Sequence, residues 1–329
     1  MKKKTLTLLI LGLFLLALGG CKTANQPTPP TAAVNFKVAA LRGPTALGMV
    51  KMMDAQPSLG ENVKAEYVIE QSPDTLNAKL LTGEIAMASI PTNMAAKLYN
   101  KGVNYQLAAM NTWGVLYVVT NGDIVKSWSD LKGKQIDNTG QGAATDVVFR
   151  YLLSKNGINP DKDVTIKYVP TPAEQAQLAI AGNSKITVLP EPWVSTVLNK
   201  NKDLKIALDM QQEWSRINGA DVPFAQTCLV VNADFASKNP AVMAKFLDEY
   251  AASIDWVNKN PAAAGELIKK QDIGIPADVA AAAIPRCNLR YMGAVDAKPA
   301  VEKYLEVLLN FSPDSIGGKL PDAKFYYQK

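Results

Sequence analysis

The sequence predicts an α/β protein built as two similar βαβ lobes, and three observations predict it. From Phe36 onward, short apolar or alternating runs of strand length are separated by segments of helical length. The same punctuation then returns after 99 residues: Gly43 meets Gly142, Ser72-Pro73 meets Thr171-Pro172, Gly83 meets Gly182, and Pro91 meets Pro190. The last hundred residues are mainly helical and hold no third copy, so they must pack against one of the lobes.

In the first copy the strands are Val38 to Leu41, Ala65 to Ile69, Ile85 to Ile90 and Gln106 to Met110, which reads as a mainly parallel sheet. Ser72 caps a helix with Pro73 at its first position, and Gly83 ends it. In the second copy Ala144, Val147, Val148, Tyr151 and Leu152 make one apolar helix face, terminated at Gly157. Val164, Ile166 and Tyr168 alternate as a strand. Thr171-Pro172-Ala173-Glu174 then has the spacing of a capping box, Gly182 ends that helix, and Ile186 to Leu189 form the next strand. Beyond Pro223 a strand is expected over Thr227 to Val231, followed by helices over Pro240 to Asn258, Pro261 to Lys270 and Pro299 to Phe311.

The N-terminus predicts export. Lys2, Lys3 and Lys4 precede an apolar run, Leu6 to Leu18, which is shorter than the ~20 residues of a membrane-spanning helix. Residues 1–20 are read as a signal peptide. Leu18-Gly19-Gly20-Cys21 is similar to a bacterial lipobox, in which the cysteine is acylated after cleavage. Residues 21–34 carry Pro27, Pro29 and Pro30 and read as an extended linker. The expected location is extracytoplasmic, with the membrane reached through the lipid anchor only.

Composition narrows the chemistry. The chain is 48% hydrophobic and 20% charged, as folded domains are, and its +5 charge falls to about +2 without the three signal lysines, with no basic block to suggest nucleic acid. There is no histidine, which removes His-dependent triads, His-ligated zinc and H-E-x-x-H. G-x-S-x-G, C-x-x-C and the P-loop are missing as well. No catalytic residue, metal or cofactor is assigned, and a binding protein is expected rather than an enzyme. Cys228 and Cys287 are candidates for a disulfide in an oxidising compartment, and for buried apolar residues in a reducing one.

In a parallel sheet the crevice lies outside the carboxyl ends of the strands. Four such ends form two matched pairs under the 99-residue offset: Leu41 to Thr45 with Gly140 to Thr145, and Ser89 to Asn93 with Leu189 to Trp193. Thr45, Ser89, Thr92, Asn93 and Thr145 are small hydrogen-bonding residues there, each also an ordinary helix cap. Gly140 and Gly142 approach a dinucleotide fingerprint, but Thr145 replaces its third glycine, so they are read as letting backbone N–H groups approach a small solute. Trp113, Trp193 and Tyr291 are candidates for stacking on a planar solute, and Glu191 for accepting from a solute N–H.

With these residues on the page, the chain resembles solute-binding proteins of ABC transporters of the nitrate/sulfonate/taurine type, a group with relatives that bind thiamin pyrimidine precursors. The resemblance runs from Phe36 to Phe311. It is carried by Val38-Ala39-Ala40-Leu41-Arg42-Gly43-Pro44-Thr45, Ser129-Asp130-Leu131-Lys132-Gly133-Lys134, Gly140 to Thr145, Glu191-Pro192-Trp193 and Asp234 to Pro240. It implies a periplasmic binding protein type II-like fold: lobe 1 from 35–117 and 230–329, lobe 2 from 118–229, two crossover strands near Leu116 to Thr120 and Thr227 to Val231, and a ligand cleft between the lobes. Arg42 joins the expected contacts on this ground, and Gly43 does so as the counterpart of Gly142 under the 99-residue offset. The resemblance further implies a monomer that hands a small anion to membrane permease subunits, or alternatively binds a planar heterocycle. Related pyrimidine synthases use histidine, which this chain lacks. A surface enzyme with carboxylate chemistry and a surface adhesion protein are the rival readings.

Overall fold

The computed structural model describes residues 33–328 apart from Gln71, Asp123, Ala143 and Asp221. The signal-peptide, lipobox and linker readings up to residue 32 lie outside the described residues. Among the described residues no helix is long and apolar enough to cross a membrane.

The first repeat unit runs β1 (Val34–Leu41), α1 (Pro44–Leu47), α2 (Val50–Ala55), β2 (Val63–Glu70), α3 (Pro73–Leu81), β3 (Met87–Pro91), α4 (Thr92–Asn100) and β4 (Tyr105–Trp113). The chain then enters the second sheet: β5 (Leu116–Asn121), β6 (Gln135–Thr139), α5 (Ala144–Lys155), β7 (Thr165–Val169), α6 (Pro172–Ile180), β8 (Ile186–Pro190), α7 (Trp193–Lys200), β9 (Leu204–Asp209) and α8 (Met210–Asn218). It returns as β10 (Ala225–Asn232), α9 (Ala233–Lys238), α10 (Pro240–Lys259), α11 (Pro261–Lys270), α12 (Ala277–Ala283), β11 (Leu289–Gly293) and α13 (Ala294–Phe311).

The strand orders are β11-β4-β10-β3-β1-β2 and β7-β6-β8-β5-β9. Each sheet has a parallel heart, β2-β1-β3 in one and β7-β6-β8 in the other. The sheets are nevertheless more mixed than the sequence suggested. β10 runs antiparallel to β3 and β4, β11 to β4, and β5 to β8 and β9. For β10 and β5 the cause is topological, since each has crossed from the other lobe and arrives from the opposite direction, whereas β11 joins the edge of its sheet within the first lobe. The half-exposed edge strand β11 and the strand β9 were not anticipated.

The repeat is real in three dimensions. α3 and α6, and β3 and β8, begin and end 99 residues apart. Their caps coincide: Ser72 and Thr171 both have φ −136° and ψ 150°, and each side chain accepts the N–H three residues on, from Thr75 and Glu174. At Thr171 this is half of the expected capping box. The first strands match poorly in sequence because they sit one residue out of step. Leu41 pairs with Glu70 and Thr139 with Val169; Thr139 lies 98 residues after Leu41, whereas Val169 lies 99 after Glu70. The extra residue falls in the glycine turn of the second lobe.

α13 begins at Ala294, five residues before Pro299, which had been expected to open it. Ala294, Ala297, Val301, Tyr304, Leu305 and Leu308 form one buried stripe that carries the helix through the proline. The Cys228–Cys287 disulfide is corrected: both thiols are free and buried. Neighbouring side chains of β10 point to opposite faces, so Cys228 packs with Met110 and Tyr304 on one side of its sheet, and Cys287 with Tyr250 and Ile284 on the other. The sheet separates them, and burial pushes the Cys228 thiol up to about 12.

The crossing itself is tightly built. Gly114 has φ +68°, and a Cβ there would lie 2.1 Å from the Gln211 Oε1, so this turn requires glycine. The next residue joins both crossings to the second sheet: Val115 N–H donates to Gln226 Oε1 at 2.8 Å, and its carbonyl accepts from Glu191 N–H at 2.9 Å.

Candidate functional site

The matched strand ends form the site. After β1 the chain turns through Gly43 at φ +120° and ψ −147°, a conformation open to glycine alone, and enters α1 with Pro44 at its first position. Thr45 is buried and donates back to the Leu41 carbonyl at 2.6 Å, closing the turn. After β6 the chain turns through Gly140 at φ +64° and Gly142 at φ +73°. A Cβ built on Gly43 or on Gly142 meets nothing within 4 Å, although Gly43 itself is buried and Gly142 is exposed. Thr145 stands half-buried in the first turn of α5.

One expectation changes here. The Gly142 N–H is not free, because it donates to Asp146 Oδ2 at 2.9 Å. Asp146 is buried and also accepts from Tyr168 at 2.9 Å and Asn138 at 3.3 Å, so the loop is braced from within its own helix. Burial, then the Asp146 hydrogen bond, raise the Tyr168 phenol to about 12.

At the β3 end, Ser89 is fully buried and accepts from Asn111 Nδ2 at 2.8 Å; Asn111 Oδ1 accepts in turn from Thr112 at 3.1 Å and from Thr227. Tyr250 of α10 faces Asn111 and Ser89 from the same side, and burial raises its phenol. Thr92 and Asn93 turn inward instead: Thr92 reaches the Met110 sulfur at 3.9 Å, and Asn93 the Ser315 carbonyl at 3.3 Å. They serve the first lobe's core rather than its edge.

At the β8 end, Glu191 is fully buried and wholly engaged. Its Oε1 accepts from Arg286 Nε at 2.6 Å and from the Ser195 hydroxyl at 3.1 Å, and its Oε2 from the Ser195 N–H at 3.0 Å. Burial pushes this carboxyl up from its ordinary value, while Arg286 and then Ser195 pull it back. The side chain read as an acceptor for a solute is thus occupied by an arginine from the other lobe. Trp193 packs on the α6–α7 cluster. Trp113 is buried, donates through Nε1 to the Arg290 carbonyl at 2.9 Å and has the Arg290 guanidinium 4.5 Å from its ring centroid, so one face is already stacked. Tyr291 meets Tyr250 edge-on at 6.3 Å, with its phenol raised to about 12 by burial and then by Asp248 and Asp296. Arg42 is exposed; its Nη2 donates to the Asp272 carbonyl at 3.2 Å, next to Gly274.

Arg286, Ser195, Asn111 and Asp146 were missed in the sequence. Asn111 had a signal, as the polar residue that closes the apolar run to Met110. Arg286 had none, since its partner is 95 residues away. Among the described residues no group of three or more His, Cys, Asp or Glu could hold a metal ion.

Two βαβ lobes joined by two crossings, with glycine turns at matched strand ends, define the periplasmic binding protein type II class. A profile of the NMT1-like family matches residues 28–270, and the chain belongs to that family. It is similar to the nitrate/nitrite binding protein NrtA of Nostoc sp. PCC 7120, 26% identical over 267 residues, covering 70% of this chain and 59% of that protein. NrtA of Synechococcus elongatus PCC 7942 is 25% identical over 210 residues, 62% of this chain and 44% of the relative. The chain therefore spans about half the length of these curated relatives. Among solved structures, an ABC transporter protein from Parabacteroides distasonis is 28% identical with a TM-score of 0.76, covering 91% of this chain and 100% of that one. The aliphatic sulphonate binding protein SsuA of Escherichia coli shares the fold at 16% identity and a TM-score of 0.72, covering 90% and 93%.

Proposed function

We propose that this chain is the extracytoplasmic solute-binding component of an ABC importer and that it holds a small sulfonate- or nitrate-like anion between its lobes. One observation carries the reading: both lobes turn on positive-φ glycines, Gly43 and Gly142, at matched strand ends, with no atom within 4 Å of a Cβ built at either. Names of similar proteins point the same way. Charge favours an anion, because Arg290 stands near the strand ends, Arg42 is only loosely paired with the exposed Asp272 at 4.0 Å, and Glu191 is neutralised by Arg286. A planar heterocycle is less favoured, since Arg290 already covers a face of Trp113.

A panel of alkanesulfonates, nitrate, carboxylates and pyrimidines tests it by melting temperature. A ligand at 100 times its Kd adds about 2.7 kcal/mol of stability, a shift of several degrees. No shift from any member would remove the reading, and turnover of a bound solute would favour an enzyme.

The proposed lobes follow sheet membership and the helices packed on each sheet, 33–113 with 225–328, and 116–218. Lipid attachment at Cys21, export and a monomeric state belong to the same proposal. Labelling with a fatty-acid probe should mark the wild type and spare Cys21→Ser.

A further inference from the structure

The lobes touch on both sides of the crossing chain, and the two contacts differ in kind. On one side α13 meets α5 and α8 in buried aromatic packing, with Tyr151 5.8 Å from Phe311 and Trp214 5.6 Å from Tyr304. On the other side α12 packs on α7, and the contact beside it is polar: Arg286 of the first lobe against Glu191 and Ser195 of the second. We propose that Arg286, Glu191 and Ser195 form a latch that sets how often the lobes are closed, whichever solute they hold.

The geometry separates the latch from ordinary packing. Glu191 takes the Ser195 N–H and hydroxyl from its own lobe, at 3.0 and 3.1 Å, and only Arg286 from the other, through Nε at 2.6 Å. Arg286 Nη2 donates a second bond across the seam, to Ser195 Oγ at 2.6 Å. A carboxylate buried without its cation is strongly disfavoured, so closure is acceptable to Glu191 only with Arg286 in place. Opening gives the acid water instead. A pocket of about 240 Å³ along this seam, lined among others by Ser195, Lys202, Asp278 and Arg286, brings solvent to Arg286 and Ser195 while Glu191 behind them stays buried.

The surroundings reinforce the reading. The segment carrying Arg286 is pinned across the crossing: its carbonyl accepts from the Tyr117 hydroxyl of the second lobe at 3.3 Å, and Asn288 Nδ2 donates to the Gly114 carbonyl at 2.6 Å. The repeat offers a control of its own. The position 99 residues before Glu191 is Thr92, whose hydroxyl reaches the sulfurs of Met110 and Cys228 inside the first lobe. The acid is therefore an addition to one lobe, not a requirement of the shared scaffold.

The test needs no ligand. Spin labels on Glu61→Cys and Lys162→Cys, both exposed and one on each lobe, report interlobe distance by pulsed dipolar spectroscopy on the mature chain carrying Cys21→Ser; Cys228 and Cys287 are buried. Arg286→Met should raise the ratio of long to short distances roughly tenfold, because it strands a buried acid on closure. Glu191→Gln, which keeps the shape and removes the charge, should give a smaller rise. The double variant should fall back toward Glu191→Gln, since no buried charge then remains. Circular dichroism checks folding, and Glu191→Gln carries the test if Arg286→Met does not fold. Distance distributions of the folded variants that superpose on the wild type overturn the latch. That outcome would leave the proposed solute binding untouched, just as a failed solute panel would leave the latch standing.

Discussion

The two lobes share α3 and α6, β3 and β8 and their caps to the residue, yet fill the space beneath them differently. α3 and α6 carry caps of identical backbone angles, and β3 and β8 have the same length and burial. Beneath those helices the chemistry diverges. In the first lobe Leu76 is packed with Ala39 and Ala88 in an apolar core. In the second the equivalent of Leu76 is Gln175, fully buried, whose Nε2 donates to the carbonyls of Asp137 and Val188 at 2.8 and 2.9 Å and to the Thr187 hydroxyl. Allowing for the one-residue slip of the first strand, Asp137 and Thr187 stand where Ala39 and Ala88 do. The same backbone therefore tolerates an apolar or a hydrogen-bonded solution, and what the repeat preserves is turns and caps.

Substitutions at the paired positions sharpen that comparison, and the deepest should cost most. Leu76→Ala should lower stability by about 2–5 kcal/mol through a cavity. Gln175→Leu keeps the volume but strips two buried carbonyls of a donor, at about 1–3 kcal/mol. Urea unfolding measures both, and an unchanged stability of Gln175→Leu would show that the amide acts only as filler.

The helix stops come next. Gly83 and Gly182 have φ +72° and +75° with free space around each, so strain is the only penalty for a side chain. Gly83→Ala and Gly182→Ala should each cost roughly 1 kcal/mol, and nearly the same amount. The caps follow, with Ser72→Ala and Thr171→Ala expected at about 1 kcal/mol apiece. Melts that differ several-fold within either pair would break the equivalence of the lobes.

The smallest effect is one the first lobe cannot show. Asp130, in the short 3-10 turn Trp128–Leu131 before β6, accepts from the N–H groups of Lys126 and Ser127 and from the Ser127 hydroxyl. Those bonds hold its carboxyl below the ordinary value, led by the Lys126 N–H. A depressed acid contributes stability that is present above the unfolded value and lost as pH falls through the folded one. Asp130→Asn should therefore lower the melting temperature slightly near neutrality, where the charge contributes, and converge with the wild type in acid, which flattens the acid limb. An unchanged acid limb would show that the turn does not need the charge.

What was legible in the sequence was local. Ser72-Pro73, Thr171-Pro172, Gly83 and Gly182 act within one turn of backbone, so residue type alone announces them. The α/β class and the two lobes followed from that punctuation. The slip in the first strand was visible only as a poor match, because register depends on which strand lies alongside. The site residues divided on the same principle. Gly43 and Gly142 announce their turns, but Glu191, Thr92 and Trp113 have partners far along the chain, and these decide where each side chain points. The disulfide reading failed because spacing says nothing about the face of a sheet on which each cysteine lies.

The central claim is that a solute sits against the bare glycine turns between the lobes, and Gly142→Leu tests it most directly. Isothermal titration calorimetry with whichever alkanesulfonate or nitrate shifts the wild-type melt gives the reading, alongside Gly182→Ala as a variant with similar strain away from the matched strand ends. Gly142 has φ +73°, so both variants lose stability and both must be shown folded first. The account predicts that Gly142→Leu abolishes measurable binding, because its side chain enters space that is now open, while Gly182→Ala binds with nearly wild-type affinity. A folded Gly142→Leu protein that binds as tightly as the wild type would contradict it and leave that turn as a turn alone.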